Sequence, residues 1–357
     1  MQIGWIQAVE FRSYRTLNWT PAPRLNLLQG PNGQGKTNLL EALGMLVTGR
    51  SFRTSRIAEI ARWGAESSTL AGELGRGESE PAARRTVRRT LIKIEDGGWQ
   101  NAGDVVEWAR AIAFGWQDLE IVNGAPGARR NFIDGFTMRL YPTHLATLVR
   151  YRQVLARRNR LLQGGWHGEA GAARIEPWNE QLAGVGMELI DRRRKAVAAL
   201  QTELARVYGA LAAARGKVEV RYRTALGEAC EPAALLAALE RSRRDELRRG
   251  QTLVGPHRDD LAIEIDGVDV RSFGSRGQQR LVALALRLAE VLPVTEAAGT
   301  APVLLLDDAL SELDPAVRAE VLRELGGAEQ VVLTTPEPLA VTGAAVFHVT
   351  GGGVVAA

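Results

Sequence analysis

The chain has 357 residues, 45% of them apolar and 24% charged, with a formal net charge of +4. That is enough chain for two globular domains, and no apolar run approaches the length of a membrane span. One Cys and four His exclude an internal disulfide and a Cys/His metal cluster, and Cys230 is expected to be an inert thiol. The start, "MQIGWIQAVEFR", lacks the basic and apolar regions of a signal peptide, so a cytoplasmic location is expected. The modest positive charge permits nucleic-acid binding without arguing for it.

"IGWIQAVEF" and "RLNLLQG" read as strands, each a short apolar run closed by turn residues. Leu39, Leu40, Leu43, Leu46 and Val47 recur at helical spacing, with Gly49 at the C-terminal cap. Residues 68–95 alternate as a hairpin-rich sheet, with Gly97-Gly98 suited to a turn. From about 136 to 250 the pattern is helical and Arg-rich. Leu145, Leu148, Leu155 and Leu162 form one seam, interrupted by Arg152 and Asn159. A second stripe runs from Trp178 to Leu211, and Gly164, Gly165 and Gly168 lie between, which predicts an antiparallel helical pair joined by a loop. A third helix is expected over 232–249. Strand character returns at "DLAIEIDGVDVRSF", and "SRGQQR" precedes an apolar helix at 281–292. A helical insertion thus splits an α/β unit made from the two chain ends.

Lys occurs only at positions 36, 93, 195 and 217, the other cations being Arg, so Lys36 is chosen for its chemistry. It sits in Gly30-x-x-x-x-Gly35-Lys36-Thr37, a P-loop between a predicted strand and a predicted helix. At this composition a chance match arises in roughly a few chains per thousand. Gly33 and Gly35 let the backbone N–H groups converge on phosphate oxygens, and the helix N-terminus adds its dipole. Lys36 would reach the β- and γ-phosphates and Thr37 would ligate Mg²⁺. "VLLLDD", 303–308, is an apolar strand suited to burial in a parallel sheet. Asp307 at its tip can share the Mg²⁺ with Thr37, and Asp308 can polarise the attacking water. "SRGQQR", 275–280, offers a second anion-binding helix end, which one nucleotide could use together with the P-loop if two subunits met. "SELD" follows the Asp pair, and "VVLTTP" is a buried strand ending in two hydroxyls.

In this order the pieces resemble the ABC-type ATPase heads of the SMC-like branch. "FRSYR", "GPNGQGKTNLLEA", "GRSFRT", "QDLEIVNGAPGARRNFID", "YRQVLARRNRLL", "GPHRDDL", "SRGQQR" and "LLLDDALSELD" together are similar to the RecF family of recombination mediators, over residues 4 to 336. The resemblance implies an α/β ABC-type head, a P-loop core with an antiparallel β segment, formed by 1–115 and 251–357. An antiparallel helical domain would be inserted at 116–250. It implies Walker A at Gly30, Pro31, Asn32, Gly33, Gln34, Gly35, Lys36, Thr37 and Asn38. Asp307 would bind Mg²⁺, and Asp308 would act with Lys36 in catalysis. Ser275, Gly277 and Gln278 would form the signature, reaching ATP held by the other subunit. Asp314 would close the D-loop, Thr334 or Thr335 would stand where many relatives keep a switch His, and Gln117 would be the Q-loop residue. Arg53 would either reach the nucleotide or brace its loop. The chain departs from the family at Trp116-Gln117, where Pro-Glu is usual, and Arg276 replaces a glycine of the transporter signature.

The implied function is ATP-dependent DNA binding in recombinational repair, replication and the SOS response to DNA damage. ATP would close a head-to-tail homodimer on duplex or single-strand/duplex junction DNA, without base reading, in the nucleoid. Slow hydrolysis would release the DNA, and RecO and RecR would act with it to load RecA. Asp308 is one methylene shorter than the Glu common in transporter heads, which argues for slow turnover. Arg84 and Arg88, on one face of the predicted strand 83–93, are candidate DNA contacts. Arg129-Arg130, Arg157-Arg158-Arg160 and Arg192-Arg193-Arg194 read as solvated faces in an Arg-rich chain. The alternatives are the ATPase subunit of a membrane transporter, whose hydrolysis would ignore DNA, and a small-molecule P-loop kinase.

Overall fold

The computed structural model describes residues 1–76, 84–93, 99–104, 106–164, 168–211, 216–229 and 231–357, the side chains of 168–172 excepted. Cys230 and the Gly97-Gly98 turn lie outside them. The strands are β1 (Gln2–Phe11), β2 (Tyr14–Trp19), β3 (Leu25–Gln29), β4 (Ser67–Gly75), β5 (Arg84–Lys93), β6 (Trp99–Gly103), β7 (Ala111–Phe114), β8 (Val218–Arg223), β9 (Asp260–Ile265), β10 (Val268–Asp269), β11 (Val303–Leu306), β12 (Val331–Thr335), β13 (Ala345–Thr350) and β14 (Gly353–Ala356). The helices are α1 (Lys36–Thr48), α2 (Leu119–Asn123), α3 (Pro126–Leu140), α4 (His144–Gln163), α5 (Gly168–Leu211), α6 (Pro232–Arg249), α7 (Val270–Phe273), α8 (Arg276–Leu288), α9 (Val291–Ala298) and α10 (Pro315–Leu325). No helix among the described residues is long and apolar enough to cross a membrane.

The chain divides into two compact units. The first is Met1–Leu119, Arg206–Arg215 and Arg276–Ala357. Its six-stranded sheet has the order β14-β13-β3-β12-β11-β7, parallel except for the β14 edge. β11 lies between β12 and β7 and all four of its residues are buried, which is why its sequence is uniformly apolar. A second, antiparallel sheet runs β2-β1-β4-β5-β6. On β5 the alternation is explicit: Val87, Arg89 and Leu91 are buried while Arg84, Thr86 and Arg88 are exposed. α1 packs its leucines into the core shared with both sheets.

The second unit is Glu120–Ala205 and Gly216–Ser275. Here α4 and α5 form the expected antiparallel pair: Thr147 bonds Glu188 near one end and Arg158 bonds Asn179 near the other. Two boundaries differ from the sequence reading. α5 begins at Gly168 and runs through Pro177, because Ile175 is anchored in the core and one lost N–H bond does not end a helix so well packed. Residues 251–275, assigned by sequence to the head, belong to this unit: β9 pairs with β8 along its whole length, and Asp260 takes a paired contact from Arg129 of α3 at 2.7 and 3.0 Å.

The Arg runs are not wholly solvated: each buries one member, Arg129, Arg158 or Arg193. Arg193 is buried against Asp134, at 2.7 and 2.9 Å, and Arg158 is 1% exposed within a bonded network. Burial disfavours the Asp134 carboxylate, but bonds from His144 and Arg193 more than offset this and hold its pKa below the usual range. "GPHRDDL" and "YRQVLARRNRLL" meet here. The Tyr151 hydroxyl donates to His257 Nδ1 at 2.7 Å, and His257 Nε2 donates to the Thr252 carbonyl at 3.1 Å. Both ring nitrogens are used by the neutral tautomer, and burial pushes the His257 pKa down to about 4. Between its ordinary value and about 4, the unfolded chain binds a proton that the folded chain refuses. Stability therefore drops as the pH is lowered through that window, by an amount on the order of 3 kcal/mol. Hydrogen exchange of α4 should show protection lost from pH 6.5 toward pH 4, and His257→Gln should flatten that dependence.

Candidate nucleotide site

The site lies in the first unit, at the tips of β3, β7, β11 and β12. Gly30, Gly33 and Gly35 adopt φ of 148°, 81° and 107°, the left-handed side where side chains are strained. At Gly30 a Cβ would also lie 2.4 Å from the Val349 carbonyl oxygen. The loop ends at Lys36, the first residue of α1, so the helix N-terminus opens onto the loop. Lys36 is buried, and its ammonium donates to the carbonyls of Gly30 and Pro31. Burial lowers its pKa, while Asp307 and Asp308 act in the opposite sense.

β11 delivers the two carboxylates. Thr37 Oγ1 donates to Asp307 Oδ2 at 2.8 Å, and Thr334 Oγ1 donates to Asp307 Oδ1 at 2.8 Å. The Asp308 N–H donates to Thr334 Oγ1 at 2.9 Å, so Thr334 orients both residues. Asp308 has φ of 53°; Ser311 donates to its carboxylate and Arg280 of α8 to its carbonyl. Thr335 instead closes its own turn with Glu337. Asp314 caps α10 by position, without a side-chain cap bond.

A small cleft beside Asp307 is lined by Thr37, Arg53, Trp116, Gln117, Asp118 and Arg287, among others. Gln117 therefore shares a cleft with the P-loop threonine and the β11 carboxylate. Its turn is fixed by Asp118, which accepts from the Gly115 N–H at 2.8 Å and from Arg287 Nη2 at 2.6 Å. Arg53 braces α1, donating to Asn38 Oδ1 at 2.8 Å and to Glu41 Oε2 at 3.0 Å. Gly277 and Gln278 are exposed in the first turn of α8, with Ser275 just before it. The signature thus begins this helix, where the sequence reading placed it ahead of one. Arg84 is exposed but paired with Glu73 at 3.1 Å, and Arg88 is exposed on the same strand face.

Of the loop's support, sequence reasoning offered only a brace from Arg53. Glu41, fully buried in α1, accepts from Arg12, Arg53 and Ser51. Tyr14 donates to the Gly35 carbonyl at 3.0 Å, and Asn38 donates to Ser13 at 2.8 Å. "FRSYR", the P-loop helix and "GRSFRT" are thus one bonded assembly, signalled in the sequence only by an acidic residue on an otherwise apolar helix. The converging left-handed glycines, the helix end and Lys36 suit a polyphosphate. Among the described residues no group of three or more His, Cys, Asp or Glu could hold a metal ion. The hard oxygens of Thr37 and Asp307 suit Mg²⁺ that takes its other ligands from phosphate and water.

The model of the RecF/RecN/SMC N-terminal domain family matches residues 2–350. The DNA replication and repair protein RecF of Heliobacterium modesticaldum is 36% identical over 344 residues, covering 94% of this chain and 92% of its own. That of Desulforudis audaxviator is 36% identical over 365 residues, covering 99% of both. The solved structure of the recombination mediator protein RecF-ATP of the RecFOR pathway aligns with a TM-score of 0.86 at 29% identity, covering 99% of this chain and 97% of its own. An SMC head bound to the C-terminal winged-helix domain of ScpA aligns at 0.54 with 14% identity over 100% and 97%, a likeness of fold alone.

Proposed function

Since the chain belongs to the RecF family of ABC-type, SMC-like ATPases, we propose that it is an ATP-gated DNA-binding protein of replication and recombinational repair. One observation carries this reading: the P-loop Thr37 and the β11 Asp307 are already in contact at 2.8 Å, with Thr334 holding the carboxylate from the far side. The loop N–H groups and Lys36 bind the phosphates of ATP. Thr37 and Asp307 would hold Mg²⁺, which would supply positive charge against the phosphates during hydrolysis. Asp308 orients the attacking water, and Gln117 stands at the same cleft. Ser275, Gly277 and Gln278 reach the γ-phosphate on a second copy, so that ATP closes a head-to-tail dimer and hydrolysis reopens it. The closed dimer holds duplex or junction DNA by its phosphates, and works with RecR and RecO to load RecA. Arg84 and Arg88 contribute to the DNA-facing surface.

The test is fluorescence anisotropy of a labelled gapped duplex with Mg²⁺ and ATP, ADP or no nucleotide. Tight binding with ATP alone, lost in Lys36→Met, is the expected result. Binding that ignores nucleotide would end the clamp reading.

A further inference from the structure

α4 departs from the composition of its own chain. At the mean composition a 20-residue helix would carry about two Arg and about two acidic residues. α4 carries five Arg and no Asp or Glu. Its buried stripe, His144, Thr147, Leu148, Tyr151, Val154, Arg158 and Leu162, accounts for one of the five. Arg150, Arg152, Arg157 and Arg160 are exposed. Arg150, Arg152 and Arg160 make no ion pair with any described residue, and Arg157 lies 5.3 Å over the Trp178 ring. Elsewhere in the unit, half-buried Arg192 is held by Glu188 and exposed Arg221 by Glu219 and Glu264.

α6 extends the surface. Arg158 of α4 bonds Glu246, and Gln163 lies against Gly250, so the two helices run parallel with their C-terminal ends together. α6 exposes Arg241, Arg244, Arg248 and Arg249, of which only Arg248 pairs with a described acid, Asp245. At 1.5 Å per residue, Arg150 to Arg160 spans about 15 Å. A duplex presents about nine phosphate charges over that length.

We propose that the exposed face of α4, continued by α6, is a phosphate-tracking ridge for the DNA backbone. Unlike Arg84, the α4 cations Arg150, Arg152 and Arg160 are not offset by a described carboxylate, and Arg supplies forked donors to phosphate oxygens. Among the described residues no array of amides or exposed aromatics accompanies them, so the ridge positions DNA without reading bases. The proposal rests on the DNA-binding reading above but concerns a surface that reading does not require.

The test compares wild type with the triple variant Arg150→Gln, Arg152→Gln, Arg160→Gln, and with the matching triple Lys variant, by anisotropy on duplex DNA across a salt series with Mg²⁺ and ATP. The Gln triple should bind roughly tenfold or more weakly, with the slope of log K against log salt reduced in magnitude by about 3. The Lys triple should restore the slope, and basal ATP hydrolysis without DNA should be unchanged in both. Unaltered affinity and slope in the Gln triple, with wild type binding normally, would overturn the ridge and leave the DNA-binding reading standing. Wild type that binds no DNA under any nucleotide condition would overturn both.

Discussion

Asp308→Asn should bind ATP as tightly as wild type and release phosphate on the order of a hundredfold more slowly, the scale of a lost general base. The geometry makes this substitution clean. Asp308 has φ of 53°, a left-handed conformation that Asn and Asp accept more readily than other side chains. Its backbone is pinned by Thr334 on the N–H and Arg280 on the carbonyl, and the amide oxygen of Asn keeps an acceptor for Ser311. Single-turnover phosphate release measures the chemistry, and light scattering in ATP measures the dimer that should accumulate. Normal release would remove Asp308 from the mechanism. Asp308→Glu tests reach: if the short carboxylate limits turnover, Glu should raise it, despite the strain of a longer side chain at that φ.

The parts of the site that were legible in the sequence are those written in consecutive residues. The P-loop is legible because glycines, Lys36 and Thr37 must follow at fixed spacing for one loop to wrap phosphate. β11 is legible because a strand covered on both faces must be apolar at every position. The start of α8 was not: Gly277 in its first turn weakens the helical signal, and the apolar run begins only at Leu281. The unit boundary was misread because β9 is held by β8, some forty residues upstream, and nothing in either strand names its partner. The arginine runs misled for the same reason. Arg193 finds Asp134 59 positions away, and Arg129 finds Asp260 131 positions away. A run of cations looks solvated until the fold brings a carboxylate to one of its members.

Arg158→Met should therefore be among the most damaging substitutions in the second unit, costing about 3–5 kcal/mol. The guanidinium is 1% exposed and uses three nitrogens: Nε to Asn179 at 2.7 Å, Nη1 to Thr252 at 2.8 Å and Nη2 to Glu246 at 2.7 Å. Met fills similar volume, so the loss is not a cavity. Its cost is Glu246, fully buried, left among the described residues with the Leu253 N–H at 2.8 Å to offset its charge. That is a large fraction of an ordinary domain's stability. The double variant Arg158→Met, Glu246→Leu removes the stranded charge as well as its partner, and should recover much of the loss. Hydrogen exchange over α4 and α6 is the appropriate readout, because it isolates this unit from the nucleotide site. A single variant as well protected as wild type would show that the network is solvated in the folded state. A double variant no better than the single would show that the hydrogen bonds to Asn179 and Thr252, rather than the ion pair, hold α4, α5 and the segment before "GPHRDDL" together.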